Sequence, residues 1–310
     1  MTPPPLILVC DHRGEGLSER LGPLGSVGFR LLFATTLRRT RAAMASELPD
    51  VVVIDPLSRG GVVELEQLDR QPSERAVPVL VVADPADPLP AVSASRALAH
   101  APWDLIYRDA PLEEYLMRIE RLQRQKRALV ELDEMRYQAA HDDRTQLLRP
   151  HPFQARLKEH FSAAQRHRLD LALLLVDLDD FGRVNKEFDH TVGDRVIARV
   201  GAVIRDTLRA EDVGGRLGGD EFAVVLPYTR KVDAARVVNR IREQIRGLSG
   251  AIPDAPASVS VSASLGFETY DGTDVDSVEG LRRHAEVALR RAKAAGGDRG
   301  LYYRSLDGTE

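Results

Sequence analysis

The chain has 310 residues, a net charge of −4, 29% charged and 43% hydrophobic residues, a balance that suits two ordinary soluble domains joined by a connector. That weakly acidic balance argues against a nucleic-acid or anionic-membrane partner, and no apolar run approaches the roughly 18 residues that span a bilayer. Cys10 is the only cysteine, which excludes intrachain disulfides and cysteine-based zinc sites.

The chain opens with Met1-Thr2-Pro3-Pro4-Pro5, without the basic start of a signal peptide, and Leu6–Cys10 is too short for its apolar core, so a cytoplasmic protein is expected. Over residues 1–110, the short apolar runs Leu6–Cys10, Val51–Ile54, Val79–Val82 and Leu105–Tyr107 read as buried strands. Longer stretches separate them, which favours crossovers and a parallel, doubly wound α/β sheet. Sites in such sheets lie at the carboxyl ends of the strands. Asp11, Asp55 and Arg108 stand at three such ends.

This arrangement resembles a response-regulator receiver domain, most of all in Pro49-Asp50-Val51-Val52-Val53-Ile54-Asp55. The resemblance implies Asp55 as a possible phosphoacceptor and a histidine kinase, or another signalling protein, as the partner. Receivers also use paired acids after the first strand, a Ser or Thr after the fourth and a Lys after the fifth. Here the corresponding residues are Cys10-Asp11, Ala83 and Arg108. A pseudo-receiver used for docking or dimerisation is therefore expected.

Residues 111–140 contain no Gly, and no Pro after Pro111, and predict a helical linker. Tyr115, Leu122 and Leu129 recur every seven residues, with Leu132 and Ala139 on an adjoining line. A stalk that pairs with its copy in a homodimer and a lone amphipathic connector both fit this spacing.

The third segment, 141–302, carries the chemistry, and 303–310 is a tail. Leu171–Val176 predicts a central strand buried on both faces that ends in Asp177-Leu178-Asp179-Asp180. Residues two apart in a strand share a face, so Asp177 and Asp179 are expected to point the same way. Paired carboxylates at a buried strand end suit a hard cation, Mg²⁺ or Mn²⁺. Downstream, Gly218-Gly219 between Arg216-Leu217 and the strand Phe222–Leu226 predicts a tight hairpin. Asp220 and Glu221 would then sit at its tip, where a neighbouring strand brings Asp177 alongside.

The run Gly218-Gly219-Asp220-Glu221-Phe222 resembles the GGDEF family of diguanylate cyclases. His141-Asp142, Thr145-Gln146-Leu147, Asp177-Leu178-Asp179-Asp180-Phe181, Asn185, Gly193-Asp194, Ser264-Leu265-Gly266 and Ala292-Lys293 fall in the same order as the family's other motifs. The resemblance implies an α+β fold like the palm of nucleotidyl cyclases, and a homodimer that condenses two GTP into cyclic di-GMP and two pyrophosphates. It assigns two divalent ions per half-site to Asp177, the Leu178 carbonyl and Asp220. Asp177, Asp220 and Glu221 would be catalytic. Phe181, Gly182, Asn185, Asp194, Gly218, Gly219 and Lys293 would bind GTP, with Asn185 and Asp194 reading guanine. Arg209-Ala210-Glu211-Asp212 matches the family's product-inhibition motif, with Arg240 as a further arginine of that site.

Two basic residues usual in the family are missing: Gly182 follows Phe181, and Gly297 stands in the final loop. Losing one charged phosphate contact costs on the order of 1.5–3 kcal/mol. The sequence therefore carries two readings, a product-inhibited cyclase and a catalytically weak receptor for cyclic di-GMP.

Overall fold

The computed structural model describes residues 3–11, 14, 16–56, 65–66, 68–69, 76–272 and 275–305. They fall into two compact units, Met1–Met135 and Arg136–Glu310. No helix among the described residues is long and apolar enough to cross a membrane.

In the first unit the strands are β1 (Leu6–Cys10), β2 (Arg30–Ala34), β3 (Val51–Ile54), β4 (Val79–Ala83) and β5 (Trp103–Tyr107). All neighbours pair in parallel, in the order β2-β1-β3-β4-β5. This is the doubly wound order in which the first and third strands flank the switch point. The described helices are α1 (Leu17–Leu21), α2 (Leu37–Ser46), α3 (Leu89–Ser95) and α4 (Leu112–Ala140). β1, β3 and β4 are buried at every residue, as their unbroken Val, Ile and Leu runs require of strands covered on both faces. β2 went unread in the sequence because it is an edge strand: Arg30 and Phe33 are exposed and only Ala34 is buried.

The seven-residue spacing on α4 has two separate origins. Tyr115, Ile119 and Leu122 lie fully buried in the core of the first unit with Val9, Val53 and Leu80. The Tyr115 hydroxyl donates to the carbonyls of Tyr107 and Arg108 at 3.3 and 3.2 Å. Those positions belong to packing inside the unit, so they are not part of a stalk seam. Leu129 and Leu132 remain exposed.

The second unit has one five-stranded sheet, β10-β9-β6-β8-β7. Its strands are β6 (Leu171–Leu178), β7 (Val213–Gly218), β8 (Glu221–Pro227), β9 (Ala263–Tyr270) and β10 (Gly300–Tyr302). Its helices are α5 (Pro150–His167), α6 (Phe181–Phe188), α7 (His190–Thr207), α8 (Lys231–Arg246) and α9 (Val278–Ala294). β6 is central and antiparallel to both neighbours, while β10 runs parallel to β9. Alternation along β6 and β8 builds two cores. Leu174, Val176, Phe222 and Val224 pack on the side of α7 and α8; Leu173, Leu175, Ala223 and Val225 pack on the side of α5 and α9. With both faces covered, the open features of the sheet are its strand ends, where the carboxylates lie.

Candidate functional site

The β7–β8 hairpin turns through Gly219 and Asp220, with Gly218 paired to Glu221. Gly219 has φ 46°, a left-handed conformation that costs glycine little. On the other side of β8, Glu221 stands in register with Asp177 of β6. The Leu178 amide donates to the Asp220 carbonyl at 3.3 Å. Backbone pairing alone thus brings Asp177, Leu178, Asp220 and Glu221 to one strand end.

Arg216 holds this tip, a role the sequence reading did not assign. Its Nε and Nη2 donate to the Gly219 carbonyl at 3.1 and 2.8 Å, and its Nη1 donates to both oxygens of Asp142 at 3.1 Å. Both side chains are largely buried. Burial alone would raise the Asp142 carboxyl, but donors from Thr145 and Arg216 outweigh it and hold the group below its usual range.

Asp177 is 6% exposed, and Lys293 Nζ lies 2.5 Å from its Oδ1. Burial raises its pKa, repulsion from Asp220 and Glu221 adds to the rise, and Lys293 only partly offsets both. Asp179 does different work. It accepts from Ser262 Oγ at 2.8 Å, Ser264 Oγ at 2.6 Å and the Asp298 amide at 2.8 Å, so its carboxylate is committed to tying loops to the strand end. The expected Asp177–Asp179 pair therefore divides into a cleft-facing acid and a loop anchor.

Asp177, Glu221 and Lys293 line a cleft of about 290 Å³ between the hairpin and α9. Arg282, Glu286 and Arg290 line it too. They precede Lys293 by whole helical turns, and that spacing was the signal by which the sequence could have revealed them.

On the other side of β6, the α6–α7 corner gathers the residues assigned to guanine. Asn185 Oδ1 lies where a side chain on Gly193 would begin, 1.9 Å from its ideal Cβ, with the Phe181 ring at 3.2 Å. Asp194 follows on α7 and pairs with Arg144 at 2.9 Å. Beside Gly182 there is open space.

In the first unit, Asp11 and Asp55 are buried at the ends of β1 and β3, and Arg108, just past β5, forms an ion pair with Asp55. The position where receivers carry a lysine thus holds an arginine that engages the carboxylate.

Residues 139–299 match the family model for the diguanylate cyclase GGDEF domain. The chain belongs to the GGDEF-domain family. It is similar to diguanylate cyclase TpbB of Pseudomonas aeruginosa (strain UCBPP-PA14), 36% identical over 159 residues, which cover 51% of this chain and 36% of that protein. It is also similar to response regulator PleD of Caulobacter vibrioides (strain NA1000 / CB15N), 28% identical over 309 residues, covering 91% of this chain and 66% of PleD. The chain thus spans less than two thirds of each relative's length. The structure of the coiled coil and GGDEF domain of DgcB from Caulobacter crescentus, in complex with c-di-GMP, superposes with a TM-score of 0.56 at 23% identity. It covers 62% of this chain and 98% of that one, a likeness of fold.

The GGDEF domain presents a second polar site before β7. The Arg209 amide donates to Asp212 Oδ2 at 2.9 Å, and Arg240 on α8 donates to the Thr207 carbonyl at 2.9 Å. Arg156, Arg205, Arg209 and Asp212 line a cavity of about 400 Å³ there. Burial raises the Asp212 carboxyl, against the Arg209 amide and the nearby Arg240 charge.

Proposed function

We propose that the second unit is a diguanylate cyclase that condenses two GTP into cyclic di-GMP and two pyrophosphates. The register of Asp177 with Glu221 across the hairpin tip carries this reading, because it gathers three carboxylates beside a cleft that Arg282, Arg290 and Lys293 also line. GGDEF cyclases generally need a divalent metal. Asp177, the Leu178 carbonyl and Asp220 suit two Mg²⁺ or Mn²⁺ ions, which take few protein oxygens and complete their shells with phosphate and water. The raised pKa of buried Asp177 among acids marks a site that a cation would relieve. When bound, such ions neutralise phosphate charge and acidify an attacking hydroxyl.

The chain's own residues supply the rest. Asn185 and Asp194 read guanine; Phe181, the Gly182, Gly218 and Gly219 backbone, and Lys293 hold the nucleotide. The ribose 3′-oxygen attacks the α-phosphorus of the GTP on a second copy. As that bond forms, the bond to the pyrophosphate oxygen breaks, and the proton passes to Asp220 or Glu221. Exposed Leu129 and Leu132 on α4 are available to the second copy. Arg209, Asp212 and Arg240 form the product-inhibition site. The first unit is a pseudo-receiver: Arg108 already holds Asp55, so the unit serves in docking rather than phosphoryl transfer.

Incubation of the full chain with GTP and Mg²⁺ should yield cyclic di-GMP, and Asp220→Ala should abolish it. No product at high protein concentration would overturn the cyclase reading.

A further inference from the structure

On the cyclase reading, a triphosphate must be neutralised where Gly182 and Gly297 leave no cation. The cleft between the hairpin and α9 holds three acids, Asp177, Glu221 and Glu286, against three cations, Arg282, Arg290 and Lys293. Two of the cations are committed. Arg282 Nε lies 2.8 Å from Glu286 Oε1, and Lys293 Nζ lies 2.5 Å from Asp177. Among the described residues, the Arg290 side chain has no hydrogen-bond or ion-pair partner. It sits one helical turn before Lys293, exposed on the same wall.

We propose that Arg290 is a triphosphate-binding residue that supplies the charge absent at positions 182 and 297. Its planar guanidinium can donate two parallel hydrogen bonds to phosphate oxygens, which a lysine cannot. Lys293 leaves the Asp177 ion pair to bind phosphate only where that carboxylate finds another cation. Arg290 needs no such exchange, so it provides the first phosphate contact.

The test measures binding of 3′-deoxy-GTP, which lacks the attacking hydroxyl, and of GMP, to the full chain in Mg²⁺. Arg290→Ala should weaken 3′-deoxy-GTP binding roughly tenfold, the low end for a charge-assisted contact because the side chain is exposed. GMP binding should be unchanged, and Arg290→Lys should recover part of the loss. Equal losses for both nucleotides, or no loss for the triphosphate, would overturn the proposal, as would a wild-type chain that fails to bind 3′-deoxy-GTP. Normal 3′-deoxy-GTP binding by the wild type without cyclic di-GMP formation from GTP would instead sink the cyclase reading alone.

Discussion

Lys293 Nζ stands 2.5 Å from Asp177 Oδ1, so the residue assigned to phosphate already grips the carboxylate assigned to metal. The contact makes sense as a resting arrangement. Asp177 is buried beside Asp220 and Glu221, and a buried anion among like charges needs a counter-ion. Lys293 supplies one, incompletely, since the carboxyl stays above its ordinary range.

The incompleteness has a pH signature. The folded protein binds the Asp177 proton more tightly than the unfolded chain, whose reference value is 3.8. Stability is therefore lost as pH rises from that value through the raised folded pKa, and the full cost persists above it. Asp177→Asn should stabilise the metal-free protein by on the order of 1 kcal/mol at neutral pH, the familiar trade of stability against activity. Thermal unfolding should show this gain shrinking toward about pH 4, and the variant should make no cyclic di-GMP. An unchanged or lowered melting temperature at neutral pH would contradict the account.

The missing basic residues at 182 and 297 should respond oppositely to replacement. A Cβ on Gly182, in the first turn of α6, meets no atom within 4 Å, and glycine there costs the helix up to about 1 kcal/mol. Gly182→Lys should keep or raise the melting temperature and lower the KM for GTP. Gly297 has φ 73°, and its Cβ would lie 2.9 Å from the Asp179 carboxylate. Gly297→Arg must therefore disturb the anchor that Asp179 makes with Ser262, Ser264 and the Asp298 amide. It should destabilise by roughly 1–3 kcal/mol without lowering KM. A gain in GTP affinity from Gly297→Arg with no loss of stability would refute this explanation.

The contrast between these glycines shows where sequence reading stops. Strands with unbroken apolar runs, such as Val51–Ile54, and the hairpin at Gly218-Gly219 were legible because burial on both faces and a tight turn each demand particular residues. The placement of Asp177 beside the hairpin followed from adjacent antiparallel strands. The duty of Asp179 did not follow, because it depends on loops that pack from far along the chain; Arg282, Glu286 and Arg290 could be found only by extending the helix face of Lys293 turn by turn. The spacing of Tyr115 and Leu122 was ambiguous for a related reason: a seven-residue repeat fits a helix in a domain core as well as one in a coiled coil.

Arg216 is the strongest case of a long-range contact hidden from sequence, since it joins the Gly219 carbonyl at the hairpin to Asp142, 74 residues earlier. Removing it leaves Asp142 buried without its main counter-charge, a loss of about 3 kcal/mol or more by analogy with other broken buried pairs. It also frees the turn that places Asp220 and Glu221. Arg216→Met should therefore lower both the melting temperature and kcat. Asp142→Asn spares the Arg216–Gly219 contacts, so it should lower stability with a much smaller effect on kcat. In the double variant the two stability losses should sum to less than additivity predicts, as for any pair in direct contact. Additive losses would mean that the ion pair is not what holds the hairpin; equal kcat losses in both single variants would mean that the Gly219 contacts are not what positions the acids.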